Sequence, residues 1–232
     1  MRLICLPWAG GSAAAYRPWD ALLGPRISVV AVELPGRGRR FSQPLCTSMD
    51  EAVGWLLTEL ADDVRSGPFA IFGHSLGAMM GFQLTHGLAR HGLPMPERLF
   101  LSAARPPHRR GPGHLHGLPD EALLTELARL KGAPAELLEH EEFRQVLLPV
   151  VRADLRIAET WPGPEALPLT VPVSLLSGRD DPLAPAAEVA HWRPYFAGDV
   201  VHREYGGDHF FVRARRDELL TELQTGLLEQ AR

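Results

Sequence analysis

The segment Gly73-His74-Ser75-Leu76-Gly77 stands directly behind the apolar run Phe69-Ala70-Ile71-Phe72 and directly ahead of a helix-like stretch. A serine at such a sharp strand-to-helix turn is a candidate nucleophile, because the turn presents its hydroxyl at the carboxyl end of a sheet. The flanking glycines have a steric reason. The turn needs strained backbone angles at Ser75, and side chains at 73 and 77 would collide with neighbouring backbone. A bare G-x-S-x-G match says little; its place between strand and helix carries the inference.

A serine hydroxyl is a poor nucleophile at neutral pH, so the reading also demands a base, an orienting acid and donors for an oxyanion, in the chain order Ser, acid, His. His209, in Gly206-Gly207-Asp208-His209-Phe210-Phe211, follows a strand-like run from Val200 to Tyr205 and precedes an amphipathic helix from about Arg215 to Gln230. It therefore lies on a loop where strand ends meet. The other nine histidines fall inside the turn, on helices, in mid-strand or in the irregular stretch after position 105, where a solvated or packed imidazole is the better reading. His114 and His116 suggest metal ligation only if a third ligand of suitable spacing exists, and the sequence offers none.

The acid follows the apolar strand Val171 to Leu176, in Ser177-Gly178-Arg179-Asp180-Asp181-Pro182. The loop after the preceding strand, Ala103 to His108, contains no carboxylate. Asp181 is preferred over Asp180 because Pro182 fixes the turn just past its side chain; Asp180 then caps the turn, although the two could exchange roles. For the oxyanion, one amide comes from Leu76 and a second from Pro7-Trp8-Ala9-Gly10-Gly11-Ser12, the glycine-rich turn after the strand Leu3 to Leu6. Ala9 is the preferred donor, with Trp8 and Gly10 as alternatives.

Strand and helix signals alternate: strand 3–6, helix about 12–23, strand 28–32, helix about 50–65, strand 69–73, helix 76–91 and strand 98–102. Such alternation predicts an α/β fold, a mostly parallel sheet covered by helices on both faces. Ser48-Met49-Asp50-Glu51 reads as a capping box and Ser66-Gly67-Pro68 as a helix stop. After position 105 the alternation breaks into a Pro-, Gly-, Arg- and His-rich stretch and short amphipathic helices at 120–130, 135–138 and 143–160. The chain thus divides into a core, residues 1–105 and 166–232, and an inserted helical lid, residues 106–165, over the carboxyl ends of the strands. The alternative is a stabilising insert without substrate contact. Leu123, Leu127, Leu137, Phe143 and Leu147 recur in it at helical spacing, a pattern of packing, and none is assigned to substrate.

At 232 residues, 45% hydrophobic and 22% charged, the chain suits one substantial core. A net charge of −4 argues against nucleic-acid binding, and no apolar run approaches a membrane span. The chain enters a strand without a leader-like segment, from which cytoplasmic residence is expected. Cys5 and Cys46 fit unpaired thiols of a reducing compartment.

With these residues placed, the sequence resembles the type II thioesterases, free-standing α/β-hydrolases that work beside modular polyketide synthases and nonribosomal peptide synthetases. The resemblance covers nearly the whole chain. It rests on the runs Leu6 to Ala13, Glu33-Leu34-Pro35-Gly36-Arg37-Gly38-Arg39-Arg40, Gly73 to Gly77, Leu118 to Glu121, Leu148 to Asp154, Gly178 to Pro182 and Gly206 to Phe211. One departure stands out: relatives usually carry a short segment before the first motif, whereas Met1 lies five residues ahead of Leu6, from which a missing terminal strand or a trimmed start is expected. The resemblance implies hydrolysis of acyl groups from the phosphopantetheine thiol of an acyl carrier protein or peptidyl carrier protein, clearing stalled or mis-primed chains.

The site chemistry agrees independently. His209 takes the proton of Ser75, Asp181 holds the imidazole, and Leu76 with Ala9 binds the oxyanion; no metal or redox cofactor is needed, and the chain is expected to act as a monomer. Arg37, Arg39 and Arg40 follow one strand and Arg105, Arg109 and Arg110 another, so some are expected to form a positive rim for an acidic carrier or its phosphate. The alternative is solvated loop arginines. Competing activities are a serine esterase or lipase on small oxygen esters, and an acyltransferase or cyclase in which an amine or hydroxyl captures the acyl-serine. A catalytically dead binding module is disfavoured because every triad element is present.

Overall fold

In the computed structural model, the described residues are 1–109, 113–131, 140–164 and 168–228. Strands β1 (Arg2–Leu6), β2 (Ser28–Ala31), β3 (Phe69–His74), β4 (Leu99–Ser102), β5 (Val173–Gly178) and β6 (Val200–Tyr205) form one sheet in the order β2-β1-β3-β4-β5-β6. Every neighbouring pair is parallel. This is the α/β-hydrolase fold. The interior strands are apolar nearly throughout because both faces are covered. Alternate residues serve different cores: Ile4, Leu6 and Ile71 belong to one, Leu3, Cys5 and Phe72 to the other.

Helices α2 (Met49–Glu59), α3 (Ala61–Arg65) and α4 (Leu76–Arg90) supply buried residues to the first core; α1 (Arg17–Leu23) supplies them to the second. The helix expected at 12–23 is a short 3-10 turn, Ala13–Ala15, followed by α1, with Pro18 in the first turn of α1. The helix expected at 50–65 breaks at Leu60, whose φ of −95° and ψ of 7° leave the helical range. The cap forms with an offset: Ser48 Oγ accepts the Glu51 amide at 3.2 Å, while the Glu51 carboxylate accepts the amide of Thr47, one residue ahead of the N-cap, at 2.7 Å.

Between β4 and β5 stand α5 (Asp120–Arg129) and the long α6 (Glu141–Thr160), which carries Pro149 in its interior. Leu123, Leu124 and Leu148 form a small core of their own, with Leu127, Phe143 and Leu147 packed against it. The helix expected at 135–138, Leu137 and Arg110 lie outside the described residues. After β5 come α7 (Ala186–Val189), β6, α8 (Phe211–Ala214) and α9 (Arg216–Leu228). The helix expected from about 215 to 230 is α9, which starts at Arg216, and its expected last residues, including Gln230, lie outside the described ones. No helix among the described residues is long and apolar enough to cross a membrane.

The strand order places the functional loops. Successive connections run from β1 outward to β2, then back across β1 to β3, so the chain reverses its direction of progress at β1. Ligands in open α/β sheets bind beyond the carboxyl ends of the strands at such a reversal. The loops after β1, β3, β4, β5 and β6 all emerge at that edge, because the strands are parallel.

Candidate active site

Ser75 joins β3 to α4 with φ of 55° and ψ of −115°, backbone angles that cost about 1–3 kcal/mol for a residue with a side chain. Its amide is held by the Ser102 carbonyl at 2.8 Å, prolonging the β3–β4 ladder. The glycines behave as the sequence demands. A Cβ on Gly73 would come 2.1 Å from the Gly77 carbonyl oxygen, and one on Gly77 would come 2.1 Å from that of Leu6. Ser75 and His209 line one cavity of about 410 Å³, together with Met79, Ala104, Arg105 and Leu183.

His209 is buried, and its Nδ1 is 2.8 Å from Asp181 Oδ2. The second oxygen of Asp181 accepts the amides of Leu183 at 2.8 Å and Ala184 at 3.0 Å, which fixes the carboxylate. With Asp181 acting as acceptor, His209 carries its proton on Nδ1, leaving Nε2 as the nitrogen available to a base's task. Asp180, by contrast, is exposed, and its backbone amide donates to the Gly207 carbonyl. The acid and histidine loops approach closely only because residue 178 lacks a side chain: a Cβ there would lie 2.6 Å from the Asp208 carbonyl oxygen.

A second imidazole, His74, lies 5.2 Å ring to ring from His209. Its Nδ1 is 2.9 Å from Ser102 Oγ. Burial, with the neighbouring His209 charge adding to it, holds its pKa well below the usual histidine range. His86 and His202 are lowered in the same direction by partial burial. A depressed histidine gives stability that is complete above its unfolded value, near pH 6.5, and that is lost as pH falls below it. The melting temperature should therefore drop between pH 7 and pH 5, and His74→Gln should flatten the drop. A pH profile unchanged by that substitution would contradict a neutral His74.

The family model of the Thioesterase domain matches residues 1–227. The chain belongs to the thioesterase family. Thioesterase PikA5 of Streptomyces venezuelae is 36% identical over 229 residues, spanning 98% of this chain and 81% of its own length. RedJ, the thioesterase of the prodiginine pathway in Streptomyces coelicolor, superposes with a TM-score of 0.92 at 36% identity, covering 97% of this chain and 90% of its own. BorB, a type II thioesterase from the borrelidin biosynthetic cluster, gives 0.89 at 36% identity, covering 97% and 92%. The protein is a hydrolase of this family.

In this thioesterase the turn after β1 is held from an unexpected direction. The Gly10 amide donates to Asp154 Oδ2, on α6, at 2.8 Å. Gly10 is therefore engaged elsewhere and is removed as an oxyanion donor, leaving Ala9 and Trp8. The arginines of the expected rim divide. Arg37 is buried in an ion pair with Asp154, Arg40 pairs with Glu59 and stacks on Trp55, and Arg109 pairs with Glu188. Arg39 is exposed, and Arg105 lines the cavity. His116 engages Glu159, whose carboxylate also accepts the Leu115 and His116 amides.

Hydrogen bonding alone would suggest a rival site, since Ser177 Oγ is 2.9 Å from His202 Nε2. Ser177 is fully buried within β5, so no acyl group reaches it without opening the sheet. Sequence reasoning gave no role to Asp154 or Glu159, although it placed both in the insertion read as a lid. The available signal was Asp154 itself, a carboxylate among the apolar positions of α6.

Proposed function

We propose that this thioesterase hydrolyses acyl groups from the phosphopantetheine thiol of an acyl or peptidyl carrier protein, clearing stalled or mis-primed chains in polyketide or nonribosomal peptide synthesis. The observation that carries the proposal is the cavity shared by Ser75 and His209, with Asp181 bonded behind the imidazole, in a chain whose relatives include BorB and RedJ. His209 Nε2 removes the Ser75 proton as the oxygen attacks the thioester carbonyl, while Asp181 stabilises the imidazolium. The amides of Leu76, in the first turn of α4 and so without an intrahelical acceptor, and Ala9 stabilise the oxyanion. The thiolate leaves and takes a proton from His209; water activated by the same imidazole then hydrolyses the acyl-serine.

On this proposal the insertion, residues 106–165, acts as a lid. It contributes Gly113, His114, Ala158 and Glu159 to the cavity wall. The enzyme works in the cytoplasm as a monomer, and the carrier's charge is met by Arg105 rather than by a broad rim. Arg105→Glu should raise KM for an acyl-carrier protein several-fold while sparing the same acyl group on N-acetylcysteamine; equal losses would reject that docking role. The function itself is tested by comparing kcat/KM for a carrier-bound thioester with that for a p-nitrophenyl ester of the same chain. Preference for the oxygen ester would favour a general esterase.

A further inference from the structure

An ion pair joins α6 of the insertion to the loop after β2, and both of its partners reach the loop after β1, which carries Ala9. Arg37 and Asp154 meet through two bonds, Nη1 to Oδ2 at 2.6 Å and Nη2 to Oδ1 at 2.7 Å, with side chains only 8% and 1% exposed. Asp154 Oδ2 also accepts the Gly10 amide at 2.8 Å, and Arg37 Nη1 donates to the Gly11 carbonyl at 3.1 Å. Two successive residues of the loop are thus gripped, one directly and one through the guanidinium. The loop closes on itself through the Gly11 amide and the Trp8 carbonyl at 2.8 Å, with Ala9 between. Gly10 sits flush on α6: its φ is +75°, and a Cβ there would lie 2.6 Å from Val151 Cγ2.

We infer that Asp154 is a positioning residue for the oxyanion hole, so that the loop bearing Ala9 attains its working geometry only when α6 is docked. The inference rests on the proposed nucleophile and oxyanion amides and adds a device that couples them to the lid. Among the described residues, the Asp154 carboxylate alone bonds both the Gly10 amide and Arg37. Removing it leaves a buried guanidinium without its counter-charge and frees the loop from the helix. The part of α6 beyond Pro149 is therefore an anchored segment. Any lid movement that preserves activity takes place before that proline, where the helix lacks one backbone bond.

The test compares Asp154→Asn, Asp154→Ala and Arg37→Lys with the unaltered enzyme in three measurements. These are steady-state kinetics on an acyl-N-acetylcysteamine, the affinity for a trifluoromethyl ketone analogue that adds to Ser75 as a tetrahedral oxyanion, and the affinity for a non-reacting thioether analogue. The expected result is a fall in kcat of about 10- to 100-fold with KM nearly constant, below the roughly 10²–10³-fold that outright loss of one oxyanion donor costs, because the amide is displaced and not removed. Ketone affinity should fall in parallel and thioether affinity should hold; Asp154→Asn, which keeps an acceptor for Gly10, should be milder than Asp154→Ala. Unchanged kcat, or equal loss of both analogues, overturns the inference. If Asp154→Ala does not fold, Arg37→Lys carries the same comparison. Hydrolysis surviving Ser75→Ala would instead refute the nucleophile, a separate failure.

Discussion

Gly77→Ala is expected to abolish measurable turnover and to lower the melting temperature by about 6–12 °C, as a loss near 3 kcal/mol does in a chain of this size. The added methyl would lie 2.1 Å from the Leu6 carbonyl oxygen, 2.7 Å from its carbon and 2.8 Å from the Pro7 oxygen. All three are backbone atoms, so no rotamer relieves the clash. The end of β1 must move away from α4, and with it the loop carrying Trp8, Ala9 and Gly10. Gly54→Ala is the matched control: it lies within α2, where a Cβ meets nothing within 4 Å, and should stabilise by about 0.5–1 kcal/mol. Differential scanning calorimetry of the two variants separates close approach from mere helix propensity. Equal melting temperatures would refute the steric account of the turn.

Asp181→Asn should lower kcat by about 10⁴-fold with little change in KM, the scale found when a triad carboxylate becomes an amide. The amide oxygen can still accept from Leu183 and Ala184, so the loop keeps its shape. Its nitrogen then faces His209 Nδ1 as a donor, which drives the imidazole into the tautomer that cannot deprotonate serine. Asp180→Asn, on an exposed side chain, should leave kcat within about twofold. Stopped-flow measurement of acyl-enzyme formation reads the effect directly. Comparable losses in both variants would show that the loop's charge matters and the specific carboxylate does not.

The residues proposed for the site were legible because each is announced by its own neighbourhood: Ser75 by glycines at a strand end, Asp181 by Gly178 and Pro182, His209 by Gly206 and Gly207. The parallel sheet followed from alternation, since apolar runs separated by helices have few ways to be buried. Helix continuity was less legible. The break at Leu60 occurs without proline or glycine, so nothing in the local sequence marks it. Charge was the least legible. Arg37 looks like Arg39 in sequence, yet one is buried against a carboxylate more than a hundred positions away and the other meets solvent. A buried ion pair is a tertiary fact, written in neither partner's surroundings.

The central claim is that Ser75 carries the acyl group during turnover. Acid-quenching the enzyme during steady-state hydrolysis of an acyl-carrier thioester, followed by peptide mass mapping, should find the acyl mass on the peptide containing Ser75. The adduct should be absent from Ser75→Ala, which should be inactive, and undiminished in Ser177→Ala, which should turn over normally. An acyl adduct elsewhere, or hydrolysis persisting in Ser75→Ala, would contradict the account.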